Sequence, residues 1–100
     1  MSKTSTQAKT TVNTKITFPP RYKVIIFNDN HTPMEFVIKL LIEVFNKNID
    51  QASEITQAIH TKGRGVAGIY NYELAEQKLT ESQIICQYNG HPLRVDLEPL

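Results

Sequence analysis

The sequence predicts an α+β fold in the order β-α-α-β-α-β, a small sheet with helices packed on one face, behind an N-terminal tail. Three observations carry this. The run Tyr22–Phe27 is almost entirely aromatic and β-branched, and it is too short to favour a helix. Phe36, Val37, Leu40, Leu41, Val44 and Phe45 recur with the spacing of one helix face. Leu93, Val95 and Leu97 alternate with Arg94, Asp96 and Glu98, which is the pattern of a strand buried on one side.

Each element has its own signals. Residues 1–20 read as a disordered extension and residues 21–100 as the single core domain. The extension is rich in threonine, its apolar residues are scattered, and Pro19-Pro20 ends it. The continuous apolar run of the first strand suggests a well-covered central position. Asn28-Asp29-Asn30-His31 is turn chemistry. Thr32-Pro33-Met34-Glu35 then predicts a helix start, with Thr32 as N-cap, Pro33 in the first turn and Glu35 closing a capping box. That helix is expected to run to about Asn46.

Asp50 reads as the next N-cap. Ala52, Ile55, Ala58 and Ile59 give a narrower apolar stripe, and Gly63 is a helix stop with Lys62 well placed against the dipole. Gly63-Arg64-Gly65 is expected to turn into a short strand over Val66–Tyr70, where Gly68 marks close packing. Asn71 caps a third helix whose inner face is Leu74, Ala75, Leu79, Ser82, Ile85 and Cys86. Residues 82–88 also tolerate a strand reading. Asn89-Gly90-His91-Pro92 is a turn before the last strand.

Composition excludes several function classes. The chain has 100 residues, 40% of them hydrophobic and 21% charged, and a net charge of +1. No apolar stretch approaches the ~18 residues of a membrane span, and the lysine-bearing N-terminus lacks a secretory apolar block. Lys3, Lys9, Lys15 and Arg21 make segment 1–21 basic, while the remainder is mildly acidic, which argues against a nucleic-acid-binding core. The single cysteine, Cys86, permits no internal disulfide or cysteine-based zinc site, and a reducing cytoplasm is the expected location.

Chemistry-bearing residues are few. Asn28, Asp29, Asn30, His31 and Thr32 crowd polar groups beside a helix N-terminus, either as turn and capping groups or as a binding loop. His60 lies near a helix end, where a dipole interaction is the plainer role. No H-x-x-x-H, H-E-x-x-H or cysteine pair exists for a metal, and no phosphate loop is complete. The residues alone point to a binding domain over an enzyme, with no metal or cofactor.

Three blocks then carry a resemblance. Residues 22–30 (YKVIIFNDN) with residues 32–37 (TPMEFV), residues 60–70 (HTKGRGVAGIY) and residues 91–93 (HPL) resemble, in order and spacing, the signature of the ClpS adaptor family. The resemblance covers residues 21–98. It implies a three-stranded antiparallel sheet with three helices, similar to the C-terminal domain of the ribosomal stalk protein. It implies a non-enzymatic, monomeric, bacterial-type adaptor, cytoplasmic or in the plastid stroma, that binds no nucleic acid or membrane. Such proteins bind N-degron proteins through a free N-terminal Leu, Phe, Tyr or Trp. They deliver them to a ClpA- or ClpC-type AAA+ unfoldase coupled to ClpP.

The resemblance also assigns roles. The positions matching Asn28, Asn30 and His60 bind the α-amino group, with Asp29 and Thr32 in the same loop. Met34, Val37, Thr56, Ile59 and Leu93 match the hydrophobic pocket, though Met34, Val37 and Ile59 equally fit ordinary core positions. Glu73 and Lys78 match the unfoldase-facing surface. Three positions depart from the family pattern: Asn30 stands where Asp is usual, Thr56 where Met is usual, and Ala67 where Cys is common. A different interaction module on the same fold, ribosome-associated or a ClpS paralogue with another ligand choice, is the alternative.

Overall fold

Arg21–Phe27 forms strand β1, and its fully buried Val24, Ile25 and Ile26 reflect pairing on both edges. The computed structural model describes residues 20–100; the expectations for the N-terminal extension fall outside them, apart from Pro20. The elements that follow are α1 (Met34–Glu43), α2 (Ile49–Lys62), β2 (Arg64–Asn71), α3 (Tyr72–Tyr88) and β3 (Val95–Pro99). The sheet is antiparallel in the order β2-β1-β3, which matches the expected topology and puts β1 in the centre.

Alternation along β1 sends Tyr22, Val24 and Ile26 toward the helices. There they meet Val37, Leu40 and Leu41 of α1, Ala52 and Ile59 of α2, and Ala75 and Cys86 of α3 in one core. A bulge in the β1–β2 register, where Val24 faces Gly68 and Ile25 faces Val66, leaves Ala67 as the extra residue, fully buried. Arg64 of β2 bridges to Glu98 of β3 at 2.7 Å, and its guanidinium holds the Glu98 carboxyl below the usual carboxylate range. Arg94 lies 4.3 Å from the Phe27 ring centroid, a cation–π contact at the end of β1.

The helix ends correct several expectations. Thr32 does not cap α1: its hydroxyl donates to the Asp29 carboxylate, Pro33 occupies the cap position without a side-chain bond, and the chain instead turns through Pro33 O. The helix closes at Glu43, earlier than Asn46, because Asn46 adopts φ 57° and turns the chain away. No basic residue stands in its last turn; Lys78 of α3 supplies one from outside, donating to Val44 O at 2.7 Å. Asn48, not Asp50, caps α2, because Gln51 three residues later completes a reciprocal capping box that Asp50 with Ser53 cannot form.

Gly63 ends α2 in the left-handed region at φ 88°, as its position suggested. The strand then begins at once, at Arg64, so Gly63-Arg64-Gly65 is no separate turn. Asn71 caps α3 by accepting from Leu74 N at 2.9 Å. The open choice over residues 82–88 resolves as helix, with Cys86 facing the core and Ile84 and Tyr88 exposed. Leu74, expected on the inner face of α3, is instead exposed. Leu93 is buried but precedes β3, which starts at Val95.

Candidate functional site

Two main-chain hydrogen bonds gather the polar loop, the end of α2 and the approach to β3. Asn28 N donates to Gly63 O at 2.9 Å, which fixes the end of β1 against the helix stop of α2. Phe27 N donates to Arg94 O at 3.0 Å, which brings Leu93 alongside. A cavity of about 180 Å³ opens between them. It is lined by Asn28, Asp29, Asn30, Thr32 and His60 among polar residues, and by Met34, Val37, Thr56, Ile59 and Leu93 around them. Every residue named beforehand as amine-binding or pocket-lining is on that wall, and no other described residue is.

Burial orders the wall by depth. Asn28, Asn30, Met34 and His60 are exposed and stand at the mouth. Val37, Thr56, Ile59 and Leu93 are all buried and form the inner part. On α2 this follows from helical periodicity: His60 lies one turn beyond Thr56, and Ile59 between them points into the core. Gly65 of β2 makes room for this wall. A Cβ there would stand 2.8 Å from Ile59 Cγ1 and 3.3 Å from Ile55 O, so only a glycine lets β2 lie so close to α2.

The electrostatics favour a cation at the mouth. Asp29 is the one carboxylate on the wall. Thr32, itself buried, donates to one of its oxygens and fixes the group in place. The second carboxylate oxygen, the two asparagine side-chain oxygens and a neutral imidazole nitrogen are acceptors. The inner part is formed by apolar side chains and by Thr56, whose hydroxyl oxygen is itself buried. A ligand that fits is therefore amphipathic, with a donor-rich, positively charged head and a bulky apolar body.

Comparison with known proteins is now informative. A family model described as ATP-dependent Clp protease adaptor protein ClpS matches residues 17–96. The chain belongs to the ClpS family. Among its relatives, the Clp protease adapter protein ClpS of Xanthomonas oryzae pv. oryzae (strain MAFF 311018) is 45% identical over 80 residues, covering 80% of this chain and 76% of that protein. The ClpS of Helicobacter hepaticus is 41% identical over 95 residues, covering 95% of this chain and 96% of that one. The solved structure of Agrobacterium tumefaciens ClpS2 bound to L-phenylalaninamide superimposes with a TM-score of 0.80 at 32% identity, covering 83% of this chain and all of that one.

Other residues lie away from the cavity. Glu73 is exposed on the first turn of α3, whereas Lys78, half-buried on the same helix, donates to Val44 O. Cys86 is buried on α3, and burial pushes its thiol pKa up, which disfavours the nucleophilic thiolate. His91 packs against Phe36, with ring centroids 4.4 Å apart. Among the described residues no group of His, Cys, Asp and Glu is placed to hold a metal ion, and no helix is long and apolar enough to cross a membrane.

The supporting residues were harder to foresee than the wall itself. Gly65 and the carbonyl of Gly63 hold the site together, and the sequence showed them only as a helix stop and a turn.

Proposed function

We propose that this ClpS-family chain is a non-enzymatic adaptor whose cavity holds the free, bulky hydrophobic N-terminal residue of an N-degron protein. The observation that carries the reading is the order of the wall: exposed acceptors at the mouth and buried apolar side chains within. An N-terminal residue has the complementary order. Its ammonium carries three donors and a charge, and its side chain follows one carbon away. Asn28, Asn30, His60 and Asp29 take the ammonium. Val37, Ile59 and Leu93 enclose the side chain, whose burial contributes about 1.5–3 kcal/mol for Leu or Phe. L-phenylalaninamide, the ligand of the Agrobacterium relative, has the same free amine and bulky side chain.

In this reading the bound protein passes to a ClpA- or ClpC-type unfoldase coupled to ClpP, in the cytoplasm. Glu73 faces that partner from the exposed start of α3, and Lys78 contributes with the donors left over from Val44. Residues 1–20 serve delivery, and the pocket residues begin beyond them at Asn28.

A panel of peptides differing only in the first residue tests the assignment. By fluorescence anisotropy, peptides beginning with Leu, Phe, Tyr or Trp should bind and those beginning with Ile or Val should not. Binding that ignores the first residue would exclude the assignment. Met34 sets the expected discrimination. It is the first residue of α1, 43% exposed at the mouth, and its long side chain closes the space that a β-branched residue needs. Met34→Ala should bring the Ile peptide to within about tenfold of the Leu peptide, a gain of ~1–3 kcal/mol for admitting one branch. An unchanged Leu-over-Ile preference would move the specificity determinant elsewhere.

A further inference from the structure

We propose that Thr56 makes the cavity prefer tyrosine over phenylalanine, by hydrogen-bonding the phenol of a bound N-terminal tyrosine at the cavity's inner end. The inference rests on the reading above, that the cavity takes a free N-terminal residue.

Thr56 lines the cavity and is 3% exposed. Its hydroxyl has no hydrogen-bond partner, the one such case among buried side-chain oxygens and nitrogens of the described residues. Buried polar groups are nearly always paired. A hydroxyl in a helix ordinarily satisfies itself by donating to the carbonyl one turn earlier. This chain does so elsewhere: Thr61 donates to Gln57 O at 2.9 Å, and Ser82 to Lys78 O at 2.8 Å. Thr56 does not bond back to Ala52. The fold thus leaves this hydroxyl unpaired on a residue of the cavity wall, with its oxygen covered until the side chain turns.

Position gives the ligand. Thr56 precedes His60 by one turn of α2, and four residues of helix span about 6 Å. With the ammonium held at His60, a side chain running inward along α2 meets Thr56 at the depth of a phenol oxygen. Leucine is too short to reach it, and phenylalanine reaches it with carbon. Val37, Ile59 and Leu93 supply apolar contact for the ring. A helical threonine has two accessible χ1 wells, so the hydroxyl can turn to the ligand. The phenol both donates and accepts, so either direction of the bond is available.

The test uses the full chain and two peptides identical except for an initial Phe or Tyr. The ratio Kd(Phe)/Kd(Tyr) is measured for the wild type, for Thr56→Val and for Thr56→Ser. The wild-type ratio should be about 2 to 10, the range of one neutral hydrogen bond. Thr56→Val should bring it to about one whatever it does to the two absolute affinities, and Thr56→Ser should keep it raised. A thermal melt accompanies the titration, and Thr56→Val should melt no lower than the wild type because the lost hydroxyl has no partner. The same ratio in the wild type and Thr56→Val, with both peptides bound, overturns the role of Thr56 and leaves the cavity assignment standing. Failure of both peptides to bind the wild type overturns the cavity assignment, and the inference with it.

Discussion

N-acetylation of a Phe-initiated peptide should abolish measurable binding, a loss of about 100-fold or more. The acetyl group leaves the side chain intact. It converts an ammonium with three donors into an amide with one and removes the positive charge. The mouth of the cavity is built of acceptors, Asn28, Asn30, His60 and the Asp29 carboxylate. A hydrogen bond to a charged group is worth about 1.5–3 kcal/mol, and at least two such bonds are lost. Each 1.4 kcal/mol is a tenfold change in affinity. Titration of free and acetylated peptides by calorimetry measures the difference, and equal affinities would remove the amine-binding role from these residues.

The second large effect is expected from Gly65→Ala. The residue is on β2, outside the cavity wall, yet an added methyl group would come within 2.8 Å of Ile59 Cγ1. The backbone oxygen of Ile55 is also close, at 3.3 Å, so β2 cannot simply slide. Ile59 must give way, and it is both core and cavity wall. Overpacking of this kind costs about 1–3 kcal/mol of stability. The displaced wall should weaken Phe-peptide binding by roughly tenfold, the effect of ~1.4 kcal/mol. Gly90→Ala is the contrast: no atom lies near its Cβ, so its cost is confined to backbone strain at φ 72° and affinity should hold. Denaturant melts and peptide titrations of both variants measure the two effects. Wild-type stability and affinity in Gly65→Ala would contradict the close approach.

How much of this was legible in the chain follows from how local each signal is. The central place of β1 was readable because six neighbouring residues carry it. The apolar face of α1, the stop at Gly63 and the cap at Asn71 are equally local, and each is where its residue types suggested. Thr32 misled because an N-cap threonine and a threonine bonded to an upstream aspartate look alike in sequence; the hydroxyl goes to Asp29. Asp50 misled although Asn48 with Gln51 was the better capping box, a pairing visible three residues apart. The extension of α3 through Tyr88 was ambiguous because only Ser82, Ile85 and Cys86 of residues 82–88 face inward, too few to exclude a strand.

The cavity is a different case. Its wall draws on the loop after β1, the start of α1, the end of α2 and the approach to β3, and no periodicity links these segments. Motif resemblance named the residues; spacing alone left His60 as a dipole partner and Ile59 as core. Convergence is produced by Asn28 N on Gly63 O and Phe27 N on Arg94 O, which are main-chain bonds that no side-chain pattern announces. The orphaned hydroxyl of Thr56 is likewise visible only in three dimensions, since its sequence context is that of any helical threonine.

The most direct measurement is a two-dimensional 1H–15N NMR titration of the full chain with L-phenylalaninamide, which carries the amine and side chain without the rest of a peptide. The account predicts saturable shifts concentrated at Asn28, Asp29, Asn30, Met34, Ile59, His60 and Leu93. Amides of the distant surface around Tyr22 and Tyr72 should stay unmoved. Saturable shifts centred on that surface, or none anywhere at ligand excess, would contradict the claim that this cavity receives a free N-terminal residue.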